Sequence, residues 1–151
     1  MTACELWSMI PQTEIDRVFH GTASAELGMD FLAFEKCYKV ASLLVPKSWI
    51  IFDLGCAYAA QAYYFTHHKK YVAVDHSSKN DCFRFQTDNM EFFNMSIQKF
   101  LSMHHFVDLE RIFAICSAVP DKEAQKLTIE TFPNHYVWYP GGINELRFYS
   151  E

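Results

Sequence analysis

Two rhythms of hydrophobic residues alternate along this chain and predict most of its elements. Between Met29 and Val45 the apolar residues Phe31, Leu32, Phe34, Tyr38, Ala41, Leu44 and Val45 recur at three- and four-residue steps. That spacing predicts an amphipathic helix, which Pro46 stops. The rhythm then changes. Trp49-Ile50-Ile51-Phe52-Asp53 is a continuous apolar run closed by a carboxylate, and Tyr71-Val72-Ala73-Val74-Asp75 repeats the design. Continuous runs suit strands covered on both faces, as in a parallel sheet. Between them Gly55 marks a tight turn, and Ala57 to Phe65 reads as a helix, completing a β-α-β unit. Further along, Phe92 to Ser96 predicts a third strand and Ile97 to His105 a helix with Ile97, Phe100, Leu101 and His104 on one side. Arg111 to Cys116 predicts a fourth strand. Asp121 to Thr131 predicts a helix with Asp121 placed to cap it. His135 to Tyr139 predicts a fifth strand, Pro140-Gly141-Gly142 a turn, and Glu145 to Tyr149 an edge strand.

Two stretches are less regular. Glu5 to Phe19 reads as helical, with Pro11 interrupting it or starting its second part, and Gly21 to Gly28 as a loop. From His76 to Glu91, Ser77 to Asp81 is a turn cluster, and Phe83-Arg84-Phe85 is either a short strand or a covering loop. Strands alternating with helices imply a mostly parallel sheet of five to six strands inside a three-layer α/β sandwich. The expected organisation is one domain, with a helical segment over 1–45 packing on a core over 46–151. In such sheets a ligand sits beyond the carboxyl ends of the strands, where strand order reverses. Four loops fall at that edge: Asp53-Leu54-Gly55, Asp75-His76, Ser96-Ile97 and Ser117 to Pro120.

Composition narrows the field. At 151 residues, 50% hydrophobic and 21% charged, the chain has the balance of one globular domain. Fourteen Phe and eight Tyr supply a dense core. A net charge of −5 argues against a broad nucleic-acid footprint, and His67-His68-Lys69-Lys70 reads as a solvated helix end. Five cysteines with no close pair suggest neither a disulfide framework nor a zinc motif, which fits reduced thiols in the cytoplasm. No signal peptide or membrane-length apolar stretch is visible. His67-His68 and His104-His105 point apart on a helix and lack the i, i+4 spacing of a metal site, so no metal is expected.

Candidate chemistry gathers at the first two strand ends. Gly55 lets the backbone turn sharply and approach a ligand. N–H groups at the start of the following helix can meet an electron-rich group, and Asp53 can accept hydrogen bonds from a cationic amino group. Asp75, about twenty residues on, can accept both hydroxyls of a ribose. Cys56 sits where a helix N-terminus can lower a thiol pKa. The plain alternative is that Asp53 and Asp75 cap turns, that Cys56 fills one, and that Phe31, Phe34 and Tyr38 pack the core rather than close over a ligand.

Phe52-Asp53-Leu54-Gly55-Cys56-Ala57-Tyr58-Ala59 resembles the first motif of the class I methyltransferases that use S-adenosyl-L-methionine (SAM), and Val72-Ala73-Val74-Asp75-His76-Ser77 resembles their second. The resemblance spans roughly residues 46 to 140. It implies a Rossmann-like SAM-binding core, with Asp53, Gly55, Cys56 and Ala57 at the methionine part of the cofactor and Asp75 at the ribose. It also implies His76, Ser96 and Ile97 around the adenine and Ser117 beside the methyl group. The family's further glycines are replaced by Ala57 and Ala59, and Ser96 stands where an acidic residue is usual. The loop Ser117-Ala118-Val119-Pro120 offers one hydroxyl and no evident base. Methyl transfer from a sulfonium asks mainly for alignment, so no catalytic residue is singled out. The implied activity is methylation of a small molecule or an exposed protein side chain. A binding or interaction module that kept this fold without turnover is the other reading, and a dinucleotide-binding domain lacks its G-x-G-x-x-G.

Overall fold

Ile50-Ile51-Phe52-Asp53-Leu54 alternates large apolar groups on both sides of an extended backbone, so it is stable only when covered above and below. In the computed structural model, which describes residues 38–39, 41–57, 59–76, 85–139 and 141–149, this run is strand β1 (Ile50–Leu54). On one side β1 pairs in parallel with β2 (Lys70–Asp75), and β2 pairs in parallel with β3 (Met90–Asn94). On the other side it pairs in parallel with β4 (Ile112–Ser117), which is followed by parallel β5 (His135–Trp138) and antiparallel β6 (Asn144–Arg147). The six-stranded order is β3-β2-β1-β4-β5-β6. The chain leaves β1 in one direction and returns on its far side as β4, so strand order reverses between these two strands.

Each face of the sheet has its own core. Phe52, Leu54, Val72, Val74, Ala114 and Val137 pack against Ile97 and Phe100 of helix α1 (Ile97–Met103) and Ala124 of helix α2 (Lys122–Thr131). Phe52 is the hub of this layer, meeting Phe100, Phe106 and Phe132 edge to face at centroid separations of 5.7, 5.3 and 5.4 Å. Each such buried ring contributes about 1.5–3 kcal/mol. On the opposite face Ile51, Tyr71, Ala73, Phe113 and Ile115 meet Tyr38, Ala41 and Val45, together with Ala62 and Phe65 of a 3-10 helix (Ala60–Phe65). This is the expected three-layer Rossmann-like sandwich with a mostly parallel sheet.

The elements differ most from expectation in three places. The helix expected over Ala57 to Phe65 is the 3-10 helix Ala60–Phe65, because Ala57 (φ 48°) and Ala59 (φ 57°) are left-handed and no right-handed helix passes through such residues. The third strand starts two residues earlier than the apolar pattern suggests, since Met90 is the residue that pairs with Tyr71, and Ser96 caps α1 instead of ending the strand. The edge strand is Asn144–Arg147 rather than Glu145 to Tyr149. Residues 38–39 and 41–44 are helical, the end of the helix expected over 29–45. The remainder of the 1–45 segment, the Ser77–Asp81 turn and Phe83-Arg84 lie outside the described residues. Among the described residues no helix is long and apolar enough to cross a membrane.

Candidate functional site

Period-2 geometry decides which way Asp53 points. Asp53 shares its face with Ile51 and so points into the layer that holds Tyr38 and Tyr71. It is fully buried. Its Oδ1 accepts from the Tyr38 hydroxyl (3.3 Å). Its Oδ2 accepts from Gln61 Nε2 (2.6 Å) and from the Tyr71 hydroxyl. Burial raises the Asp53 pKa from 3.8 to about 6, opposed by the hydrogen bonds from Tyr71, Gln61 and Tyr38. Burial, with Asp53 alongside, also holds both tyrosines well above the usual phenol range, so they stay protonated donors. Gln61 Nε2 donates as well to the Cys56 carbonyl (3.1 Å). Asp53 is thus an internal anchor that ties the 3-10 helix beneath the first loop. The expectation that it receives a ligand's amino group is corrected, because its lone pairs face three protein donors and no solvent.

The loop after β1 is also bonded inward. Gly55 and Cys56 both donate their N–H groups to the Val74 carbonyl (2.7 and 3.0 Å), and Ala57 N–H donates to Asp75 Oδ2 (2.8 Å). The expectation that these first N–H groups meet a ligand at a helix N-terminus does not hold, since β2 takes them and the helix begins only at Ala60. Cys56 is fully buried, with its thiol 3.7 Å from the Ala57 carbonyl, and offers no surface to a ligand. Ala57 and Ala59 nevertheless hold the left-handed backbone where the resembling family has glycines. Ala118 (φ 58°), in the loop after β4, does the same. Three of the four described non-glycine residues with positive φ therefore lie in the two loops that face each other where strand order reverses. Each costs about 1–2 kcal/mol, and strain of this kind gathers at ligand sites.

The remaining candidates divide. Asp75, the last residue of β2, is half-buried at the rim. His76 is exposed. It lies near Asp121, whose carboxyl is held below the usual range first by the Gln98 hydrogen bond and last by the His76 charge. Ser96, expected around the adenine, uses its hydroxyl to accept from Lys99 N–H (3.1 Å) as the cap of α1. Ile97 is buried but reaches the rim, its Cδ1 lying 3.8 Å from where a Cβ on Gly55 would stand. Ser117 is buried at the end of β4 beside Tyr38, level in register with Gly55 and Asp75. Contacts not anticipated complete the arrangement. Val119 covers Gly55, and a Cβ added there would lie 2.4 Å from Val119 Cγ2. Gln125 Nε2 holds the Val119 carbonyl (2.6 Å). Gln61 was legible in principle, as a lone amide inside the otherwise hydrophobic run Ala60–Phe65 that needs a buried partner. Val119 carries no such signal. Among the described residues no group of three or more His, Cys, Asp or Glu side chains is arranged for a metal.

The chain matches no protein-family model and no curated protein. Solved structures do match. Precorrin-6y C5,15-methyltransferase from Geobacter metallireducens superposes with a TM-score of 0.52 at 12% identity, over 68% of this chain and 60% of that one. The fold is that of the class I methyltransferases. Two further solved structures match at lower TM-scores. A Streptococcus mutans protein assigned as a methyltransferase, solved with SAH, gives 0.49 at 16% identity, over 69% of this chain and 68% of that one. A Listeria monocytogenes protein assigned as an S-adenosylmethionine-dependent methyltransferase gives 0.43 at 12% identity, over 68% and 54%. The chain spans about 60% of the length of the Geobacter methyltransferase.

Proposed function

We propose that this chain is a SAM-dependent methyltransferase whose acceptor is a small molecule or an exposed protein side chain. One observation supports the reading most: Gly55, Ala57, Asp75, Ile97 and Val119 gather on one rim at the reversal of strand order, with left-handed backbone in both facing loops. A ligand is expected at that place in a sheet of this order. The adenosine half of SAM fits the residues present. Asp75 ends β2 as a half-buried carboxylate suited to a ribose diol, and Ile97 offers an apolar flank. The methionine half does not fit the present arrangement, because Val119 stands on the bare face of Gly55. Cys56 and Cys116 are thiols rather than half-cystines, in keeping with the cytoplasm. Titration calorimetry with SAM and SAH tests the binding step, and mass spectrometry of methylated product in a lysate tests turnover. Saturable binding of either compound supports the reading, and no binding at millimolar concentration overturns it.

A second reading is a binding or interaction module that keeps the methyltransferase fold without turnover. The inward-bonded N–H groups of residues 55–57 and the Val119 contact favour it. It predicts no product on broad substrate panels, and one methylated product in a lysate rules it out.

A further inference from the structure

Gly55 has φ +84°, a conformation that leaves the bare side of its Cα open for another group to approach closely. The group that does so is Val119 Cγ2, with Ile97 Cδ1 behind it. The loop carrying Val119 is held at two points. Ala118 N–H donates to the Trp138 carbonyl (2.8 Å) at the end of β5. The Val119 carbonyl accepts from Gln125 Nε2 on α2 (2.6 Å). Between those ties Ala118 is left-handed, which aims the next side chain across the reversal point onto the first loop. Val119 is still partly exposed, so its methyl groups form a boundary between solvent and the rim.

We propose that Val119 is the residue that sets access to this site, its side chain occupying the space on Gly55 that the amino-acid tail of an adenosyl ligand requires. The inference rests on the SAM-binding reading above and deepens it. The adenosine end docks at Asp75, and the tail enters only after Val119 leaves Gly55. Valine has two methyl groups on a stiff Cβ, so it cannot vacate the space by extending along a flexible chain. The bulk at position 119, and not its polarity, then determines affinity.

The test is calorimetric titration of SAH into the full chain and into V119A, V119T and D75A. V119A keeps the loop backbone and both ties but removes the two methyl groups, and is expected to bind SAH about tenfold more tightly, in line with releasing two packed methyl groups. V119T keeps the shape of valine and is expected to match the unaltered chain. D75A is expected to lose binding. If V119A and the unaltered chain bind SAH equally while D75A does not bind, the SAM reading stands and the role of Val119 is overturned. If V119A binds more weakly, Val119 is a ligand contact and the inference fails. If neither the unaltered chain nor V119A binds, the reading falls and takes this inference with it.

Discussion

Replacing Asp53 by Asn tests whether the carboxylate beneath the first loop is a structural anchor held at an electrostatic cost. Its pKa in the folded chain is about 6, against 3.8 for an unburied carboxyl, with burial the largest cause. An acid whose pKa rises on folding holds its proton more tightly folded than unfolded. Between pH 3.8 and about 6 the folded chain therefore carries the extra proton, and stability falls as pH rises through that window. Below the window this group contributes no pH dependence, and above it the full cost is present. At about 1.36 kcal/mol per pKa unit, the ionised Asp53 destabilises the fold by about 3 kcal/mol at neutral pH. Asparagine resembles the protonated acid. Its oxygen can accept from Gln61, and the tyrosine hydroxyls can turn to accept from its amide. D53N is thus expected to match the unaltered chain near pH 4 and to be more stable by about 3 kcal/mol near pH 7.5. Urea unfolding of both proteins across that range is the assay, because every other titrating group cancels in the difference. With a slope of about 2 kcal/mol per molar urea, the midpoints should separate by about 1.5 M at the alkaline end. A gap that stays constant with pH, or a D53N protein less stable at pH 7.5, would refute the reasoning. A constant gap would mean that the three donors just offset desolvation, and a less stable D53N protein that they more than offset it.

Four other expectations concern the rim and the elements around it. D75A leaves the Ala57 N–H without its acceptor, and chemical unfolding should show a loss of about 1–2 kcal/mol. In contrast, D53N should bind SAH as the unaltered chain does, since Asp53 faces inward. A57G relieves a left-handed alanine at the price of a more flexible unfolded chain, for a net gain of about 0.5 kcal/mol; a thermal melt no higher than that of the unaltered chain counts against strain at that loop. D121A removes the acceptor for Glu123 N–H and Ala124 N–H and should cost about 1 kcal/mol, read as faster amide exchange in the first turn of α2.

The strands were legible for a physical reason. A parallel strand is buried on both faces, so β1, β2 and β4 appear as unbroken apolar runs with little else to confuse them. The α2 cap was equally plain, because Asp121 stands directly before a helical stretch with no competing role. Local pattern failed where tertiary forces act against it. Ala57 and Ala59 are good helix formers by type, yet the loop closing onto β2 requires left-handed backbone there, and no propensity signals that. A carboxylate at a strand end was visible, but how deep it sits depends on the register between strands. Asp53 pairs with Ala73 and is held inside by Tyr38, Gln61 and Tyr71, whereas Asp75, on the same face, lies two residues further along at the rim. Ser96 was read as a ligand contact because its place matched a motif, whereas the start of α1 needed its hydroxyl first. The loop holding Val119 was placed at the rim, but its contact with Gly55 was not legible, since the two lie far apart in sequence.

The position of β1 has a consequence for how the chain reaches this shape. Ile50 pairs with Lys70 on one side but must wait for Ile112 on the other. During synthesis the first half can zip β1 to β2 and β2 to β3 while the opposite edge of β1 has nothing to bond. Contacts that distant in sequence form slowly, and an open apolar edge recruits other chains. Nascent fragments that end before β4 are therefore expected to aggregate, and a ribosome pause within β4 should be more damaging than one after β5.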